Sequence, residues 1–158
     1  MNELTPSRDF PSPVQTGGVV PLLLTISKST RAFLALLLAE IGLHPGQDQL
    51  LHRLTAGQAV SVSALADQLA VRPSTVSKML DRLIEKKLVL RTTSSGDARR
   101  TMVLLTEEGA TVRTAVLALW ERLETELVAT IPDGNRRELI GALAQVDTLL
   151  ATRLRRLR

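Results

Sequence analysis

The apolar residues between Pro73 and Leu105 change period once, and that change limits what the chain can fold into. Val76, Met79, Leu80, Leu83 and Ile84 stand at i, i+3, i+4, i+7 and i+8, the single stripe of a helix with one buried side. Pro73 suits the first position of that helix, where its missing N–H is not needed. Ser74, Lys78, Asp81 and Arg82 take the opposite face, with Thr75 and Ser77 on the flanks. Beyond this helix, Leu88-Val89-Leu90-Arg91-Thr92-Thr93 and Thr101-Met102-Val103-Leu104-Leu105 are β-prone runs. Ser94-Ser95-Gly96-Asp97-Ala98-Arg99-Arg100 lies between them and is rich in turn formers, so the segment predicts a hairpin with a basic loop.

The flanks of this segment read as helices. Aromatic residues are confined to Phe10, Phe33 and Trp120, with no Tyr, so the core must be Leu, Val, Ile and Ala, which suits packed helices. Residues 1–20 hold Pro6, Pro11, Pro13, Gly17 and Gly18 and predict a flexible arm. Residues 21–42 are strongly apolar, with Ile26, Phe33, Leu37 and Ile41 near helical spacing and Leu22, Leu34 and Leu38 widening the stripe. They predict a long helix with more than one buried face, ended by Gly42. A second helix is expected over Leu43 to Leu54, with Pro45 in its first turn. Thr55 to Val60 reads as a turn with room for a short strand. Ser63 then suits the N-cap of a third helix carrying Leu65, Ala66 and Leu69. Thr106, followed by Glu107 and Glu108, caps a long helix to about Thr130, with Val112, Val116, Leu119, Leu123 and Leu127 along one side. Ile131-Pro132-Asp133-Gly134 breaks it, and a last helix carries Leu139, Leu143, Val146, Leu150, Leu154 and Leu157.

The charge is unevenly placed. Between Arg72 and Arg100, eight basic residues face only Asp81, Glu85 and Asp97, a surplus of five, while the rest of the chain carries one more acid than base. A surplus gathered in one short segment is the electrostatic footprint of a phosphate-facing surface, although a solvated basic face looks the same by charge alone. The absence of Cys excludes disulfides, thiol catalysis and Cys-ligated metals, and fits a reducing compartment. His44 and His52 are the only histidines, and with no acid cluster nearby they do not suggest zinc. No Gly-rich phosphate loop and no nucleophile–base–acid set is visible, so neither a cofactor nor an enzyme is expected. The apolar stretch near the start is interrupted by Thr25, Ser27, Lys28, Ser29, Thr30 and Arg31, so no transmembrane helix is expected, and no signal peptide.

Helix, helix, turn, helix, strand, basic loop, strand is the plan of a winged helix-turn-helix. A helix about 10–12 Å wide fits the major groove of B-DNA. Its N-terminal end must be small and polar for side chains to reach base edges, which Ser74, Thr75 and Ser77 allow. Lys78 can reach guanine acceptors or a phosphate, and Arg72 and Arg82 extend the basic edge. At the hairpin tip, Arg99 and Arg100 suit a narrow minor groove, with Asp97 placed to orient Arg99; the alternative is an ordinary acid–base pair in a surface turn.

These strings resemble the MarR (multiple antibiotic resistance regulator) family. The matching residues are Leu65-Ala66-Asp67-Gln68-Leu69, Arg72-Pro73-Ser74-Thr75-Val76-Ser77-Lys78, Asp81-Arg82-Leu83-Ile84-Glu85-Lys86, Asp97-Ala98-Arg99-Arg100 and Leu104-Leu105-Thr106-Glu107-Glu108-Gly109. The likeness is densest over residues 62–109 and extends more loosely over about 22–157. It implies a mainly α fold with a small β-hairpin, a winged helix-turn-helix flanked by dimerisation helices. Residues 1–20 would be the arm, 21–42 the N-terminal dimerisation helix, 43–105 the DNA-binding domain and 106–158 the C-terminal dimerisation helices. It further implies a cytoplasmic homodimer on a pseudo-palindromic double-stranded DNA operator, a repressor relieved by a small anionic or phenolic ligand. The apolar faces of the flanking helices agree with a dimer, since helices apolar on more than one face need extra burial; the alternative is a closed monomeric bundle.

Three departures from the family pattern are visible. Lys87 stands where the family often has Gly, so either a non-Gly residue takes a left-handed conformation there or the turn differs. Lys78 replaces a common Arg, a point charge in place of a bidentate fork. The family's aromatic-lined effector pocket has few aromatics to draw on; Trp120 and Phe33 suit either a pocket wall or, more simply, the core. The tail from Arg153 to Arg158 holds four Arg and reads as a solvated helix end, where cations are favourable. Two other functions fit the same fold: a winged-helix module that contacts protein without direct DNA binding, against which Lys78, Arg82, Arg99 and Arg100 speak, and RNA binding, disfavoured by the lack of stacking aromatics on the basic surface.

Overall fold

The computed structural model describes residues 18–93, 101–132 and 134–157. Nearly all of the N-terminal arm and the whole basic loop, Ser94 to Arg100, lie outside the described residues. The elements run α1 (Val19–Glu40), α2 (Gln47–His52), β1 (Val60–Ser61), α3 (Val62–Gln68), α4 (Pro73–Glu85), β2 (Val89–Thr93), β3 (Thr101–Leu105), α5 (Glu107–Val128) and α6 (Arg136–Arg156). The fold is mainly helical with a small antiparallel sheet, as the residue pattern predicts.

Three of the helices stop in the same way. After α1, Gly42 N–H donates to the Ala39 carbonyl and Leu43 N–H to that of Leu38. After α3, Ala70 N–H donates to Asp67 and Val71 N–H to Ala66; after α4, Lys87 N–H donates to Ile84 and Leu88 N–H to Leu83. Each is a Schellman turn, which satisfies the last carbonyls of a helix and needs a left-handed residue. That residue is Gly42 (φ 70°) in the first, but Ala70 (φ 52°) and Lys87 (φ 58°) in the others. Lys87 therefore takes the strained of its two options, at a cost of about 1–2 kcal/mol. Burial of the flanking pair Leu83–Leu88 offsets it.

Three details differ from the sequence expectation. Helix α1 begins at Val19, ahead of Pro21; Pro21 is tolerated because the first N–H groups of a helix have no intrahelical partner. Helix α2 is shorter than Leu43 to Leu54, because Gly46 turns the chain at φ 97°. Side chains satisfy that turn: Gly46 N–H donates to Asp48 Oδ1 (2.8 Å) and His44 N–H to Gln47 Oε1 (2.9 Å). The N-cap of α3 is Ser61, not Ser63; its Oγ accepts from Ala64 N–H at 3.1 Å. Ser61 has extended backbone because β1 pairs with β3, and Val62 is then the first residue free to turn. That third strand adds to the expected hairpin, giving the order β1-β3-β2.

One core holds the helix-turn-helix and the sheet together. Leu50, Leu51 and Leu54 of α2 and its exit, Leu65 of α3, Val76, Leu80 and Leu83 of α4, Val103 of β3 and Val116 of α5 are all fully buried. Each buried aliphatic side chain contributes about 1.5–3 kcal/mol relative to exposure. The register Val89↔Leu105 and Arg91↔Val103 puts Val89, Val103 and Leu105 among these core residues. Two junctions tie the parts. Lys86 Nζ donates to the Gly42 carbonyl, joining the end of α4 to the end of α1. Thr106 Oγ1 caps α5 by accepting from Gly109 N–H (2.9 Å) and donates back to the carbonyls of Lys87 and Leu88.

The flanking helices are apolar and largely uncovered. Helix α6 has no buried residue, and Leu139, Ile140, Leu143, Leu149, Leu150 and Leu154 are exposed on it. Helix α1 exposes Leu22, Leu24, Ile26, Phe33 and Leu36. Phe33 is thus not in the core of the single chain. Against the expectation from its interrupted sequence, α1 is long and apolar enough to cross a membrane by length and composition, and 11% of its most apolar stretch is buried.

Candidate nucleic-acid interface

Helix α4 is held by its stripe and leaves one face to solvent. Val76, Leu80 and Leu83 anchor it, with Met79 and Ile84 half-buried at the margins. Arg72 is the N-cap and Pro73 the first helical residue. Arg72, Ser74, Thr75, Lys78, Asp81 and Arg82 are exposed, and Ser77 is half-buried. Of the nine residues expected to meet DNA or orient the wing, Ser74, Thr75, Ser77, Lys78 and Arg82 fall on α4 and Arg72 is its N-cap. Arg99, with Arg100 and Asp97, lies outside the described residues.

A residue that the sequence reading counted only as charge joins this face. Arg91 of β2 reaches back to α4, where its Nη2 lies 2.8 Å from Asp81 Oδ1. The same nitrogen donates to the Ser77 carbonyl at 3.4 Å. Both side chains are about half exposed, 40% for Arg91 and 56% for Asp81, so the pair adds well under about 1 kcal/mol to stability. Its effect is on geometry: it pins a guanidinium of the hairpin along the outer side of α4. No spacing in the sequence marks this contact, because it depends on how the turn at Lys87 folds the strand back along the helix.

Other residues singled out in the sequence occupy a different place. Trp120 of α5 packs against the core, and its indole Nε1 donates to the buried Asp48 carboxylate at 3.3 Å. The His52 ring lies 4.8 Å from the Trp120 ring, tilted by 46°. This pair walls a cavity of about 610 Å³ between α2, the end of α3, α5 and α6, with Arg53, Asp67, Asp147 and Arg155 around it. His44 donates its backbone N–H to the α2 turn and is not among that cavity's lining. No cluster of three or more His, Cys, Asp or Glu that could hold a metal occurs among the described residues.

Residues 43–101 match the MarR family model. A Thauera aromatica protein named as a transcriptional regulatory protein for the hcr operon is 30% identical over 105 residues, covering 66% of this chain and 63% of its own. The Bacillus subtilis HTH-type transcriptional repressor MdtR is 38% identical over 68 residues, covering 43% of this chain and 44% of its own. The chain thus spans less than two thirds of the length of either relative. The structure of S. aureus MepR in complex with DNA superposes with a TM-score of 0.76 at 23% identity, over 83% of this chain and 96% of that one. At that identity the likeness concerns the fold.

Proposed function

We propose that the chain is a MarR-family transcription regulator that binds double-stranded DNA as a homodimer, a reading supported by the match of residues 43–101 to that family's model. The observation that carries this is the division of α4: a buried aliphatic stripe on one side, and on the other an exposed edge of Arg72, Ser74, Thr75, Lys78 and Arg82. An edge of short hydroxyls and long cations lets a helix enter the major groove while its N-terminal residues reach base edges. Arg99, oriented by Asp97, and Arg100 would follow into the minor groove.

The dimer is supported by the uncovered leucines of α1 and α6, which a second copy would bury. That cover also accounts for the apolar character of α1 without a membrane, in keeping with a cytoplasmic protein. A two-fold dimer reads a pseudo-palindrome with half-sites about one helical turn apart. Repression is the direction proposed, in line with the name of the Bacillus subtilis relative. Relief by a small anionic or phenolic ligand is proposed through the cavity beside Trp120 and His52, where flat rings can stack and Arg53 and Arg155 can meet an anion.

Binding to a 30-base-pair duplex, followed by fluorescence anisotropy, tests the proposal. Affinity is expected to fall by about three decades between roughly 50 and 200 mM salt, as for a protein that displaces counterions from several phosphates. Affinity that ignores salt, or no binding at the low end, would overturn it.

A further inference from the structure

We propose that Arg91 is a phosphate-binding residue, held in place by Asp81, and that the groove beside it seats the DNA backbone between the reading helix and the sheet. The inference rests on the DNA-binding reading above and adds residues that this reading does not use.

A groove of about 380 Å³ runs between the start of α3, the start of α4 and the sheet. Among the described residues, its lining includes the hydroxyls of Ser61, Ser63, Ser77 and Thr101, with Arg91 as the one charged side chain. Hydroxyls around a single guanidinium are donors suited to a phosphate, and none of them discriminates among bases. The groove adjoins the exposed N-terminal half of α4, so a backbone seated there would leave Ser74, Thr75 and Lys78 facing the adjoining major groove.

The way Arg91 is held supports the assignment. Asp81 and the Ser77 carbonyl stand one helical turn apart on α4, and both engage the same nitrogen, Nη2. One edge of the guanidinium is thereby fixed to the helix. A guanidinium has five N–H donors in a rigid fork, so anchoring Nη2 leaves Nη1 and Nε to donate elsewhere. Asp81 is accordingly a positioning residue that acts through Arg91. It also explains an acid in the middle of a basic face, where a lone carboxylate would otherwise repel the duplex.

The experiment compares Arg91→Gln, Arg91→Lys and Asp81→Asn, alone and combined, by the salt dependence of binding to a mixed-sequence 30-base-pair duplex and to a duplex selected from a random pool. Arg91→Gln is expected to reduce the slope of log affinity against log salt by about one, the loss of one phosphate contact, and to weaken both duplexes by the same factor. Arg91→Lys keeps the charge and the wild-type slope. Asp81→Asn weakens binding in the wild type and adds nothing in the Arg91→Gln background; a gain in affinity, or an equal loss in both backgrounds, overturns the positioning role. Ser63→Asp sets a carboxylate in the groove without altering Arg91, and weakens both duplexes; unchanged affinity overturns the groove. A steep wild-type slope that Arg91→Gln leaves unaltered overturns this inference alone, whereas a wild type without a slope overturns the DNA reading as well.

Discussion

Replacing Gly109 by alanine is expected to destabilise the protein by about 3 kcal/mol, more than a typical overpacking substitution at a site that can yield. At an open position inside a helix the same change stabilises by up to about 1 kcal/mol. Gly109 lies in the first turn of α5, and a Cβ there would fall 1.9 Å from the Leu88 carbonyl oxygen and 2.9 Å from Leu105 Cδ1. The carbonyl cannot easily move. It accepts from Thr106 N–H at 3.1 Å and from Thr106 Oγ1 at 3.0 Å, and Leu88 N–H closes the turn after α4. Relieving the clash therefore disturbs the cap of α5 and the end of α4 together. Thermal unfolding should show a fall in Tm of roughly 10 °C, while Gly141→Ala, whose Cβ meets nothing within 4 Å, should leave Tm unchanged or raised. An unaltered Tm for Gly109→Ala would contradict the close approach of α5 to the hairpin.

Leu143→Glu combined with Leu150→Glu is expected to leave a folded monomer that binds DNA about a hundredfold or more weakly. The two leucines are 45% and 52% exposed on α6, none of whose residues is fully buried within its own subunit. The carboxylates would be solvated in the single chain but stranded without partners between two copies, a cost of several kcal/mol. Losing the second copy also loses the linked second half-site, whose effective concentration multiplies affinity by about 10²–10⁴. Sedimentation should find two copies in the wild type and one in the variant, with helical content retained. A wild type that sediments as one copy at micromolar concentration, or a variant that stays paired, would contradict the dimer.

What was legible in the sequence follows from the range of the interactions. The stripe of α4, the hairpin strands and the Thr106 cap are set by residues within a turn or two of each other, and they stand where the pattern predicts them. Ser61 and Ser63 are both good caps; the choice depends on β1 pairing with β3, some forty residues away, which no local pattern carries. Helix α2 starts later than its pattern predicts, because Leu43, buried beside Leu38, counts as helical by periodicity although it lies in the turn. Lys87 could be flagged as an anomaly, but its left-handed backbone is fixed by the Schellman bonds at the end of α4. Within the candidate interface, the residues of α4 are legible through their helix, whereas Arg91 is not, because its partners, Asp81 and Ser77, come from another element. Apolar character alone places Phe33 inside, yet it is 40% exposed on a helix whose apolar surface is largely uncovered in the single chain.

The central claim is that the outer edge of α4 reads a duplex from both halves of a two-fold dimer, and selection of bound sequences from a random pool of duplex DNA tests it most directly. The account predicts enrichment of an inverted repeat whose half-sites lie about one helical turn apart, lost when Ser74, Thr75 and Lys78 are all replaced by alanine in a protein that remains folded. A pool that stays random after repeated rounds with the wild type, or an enriched site that the triple variant recognises equally well, would contradict it.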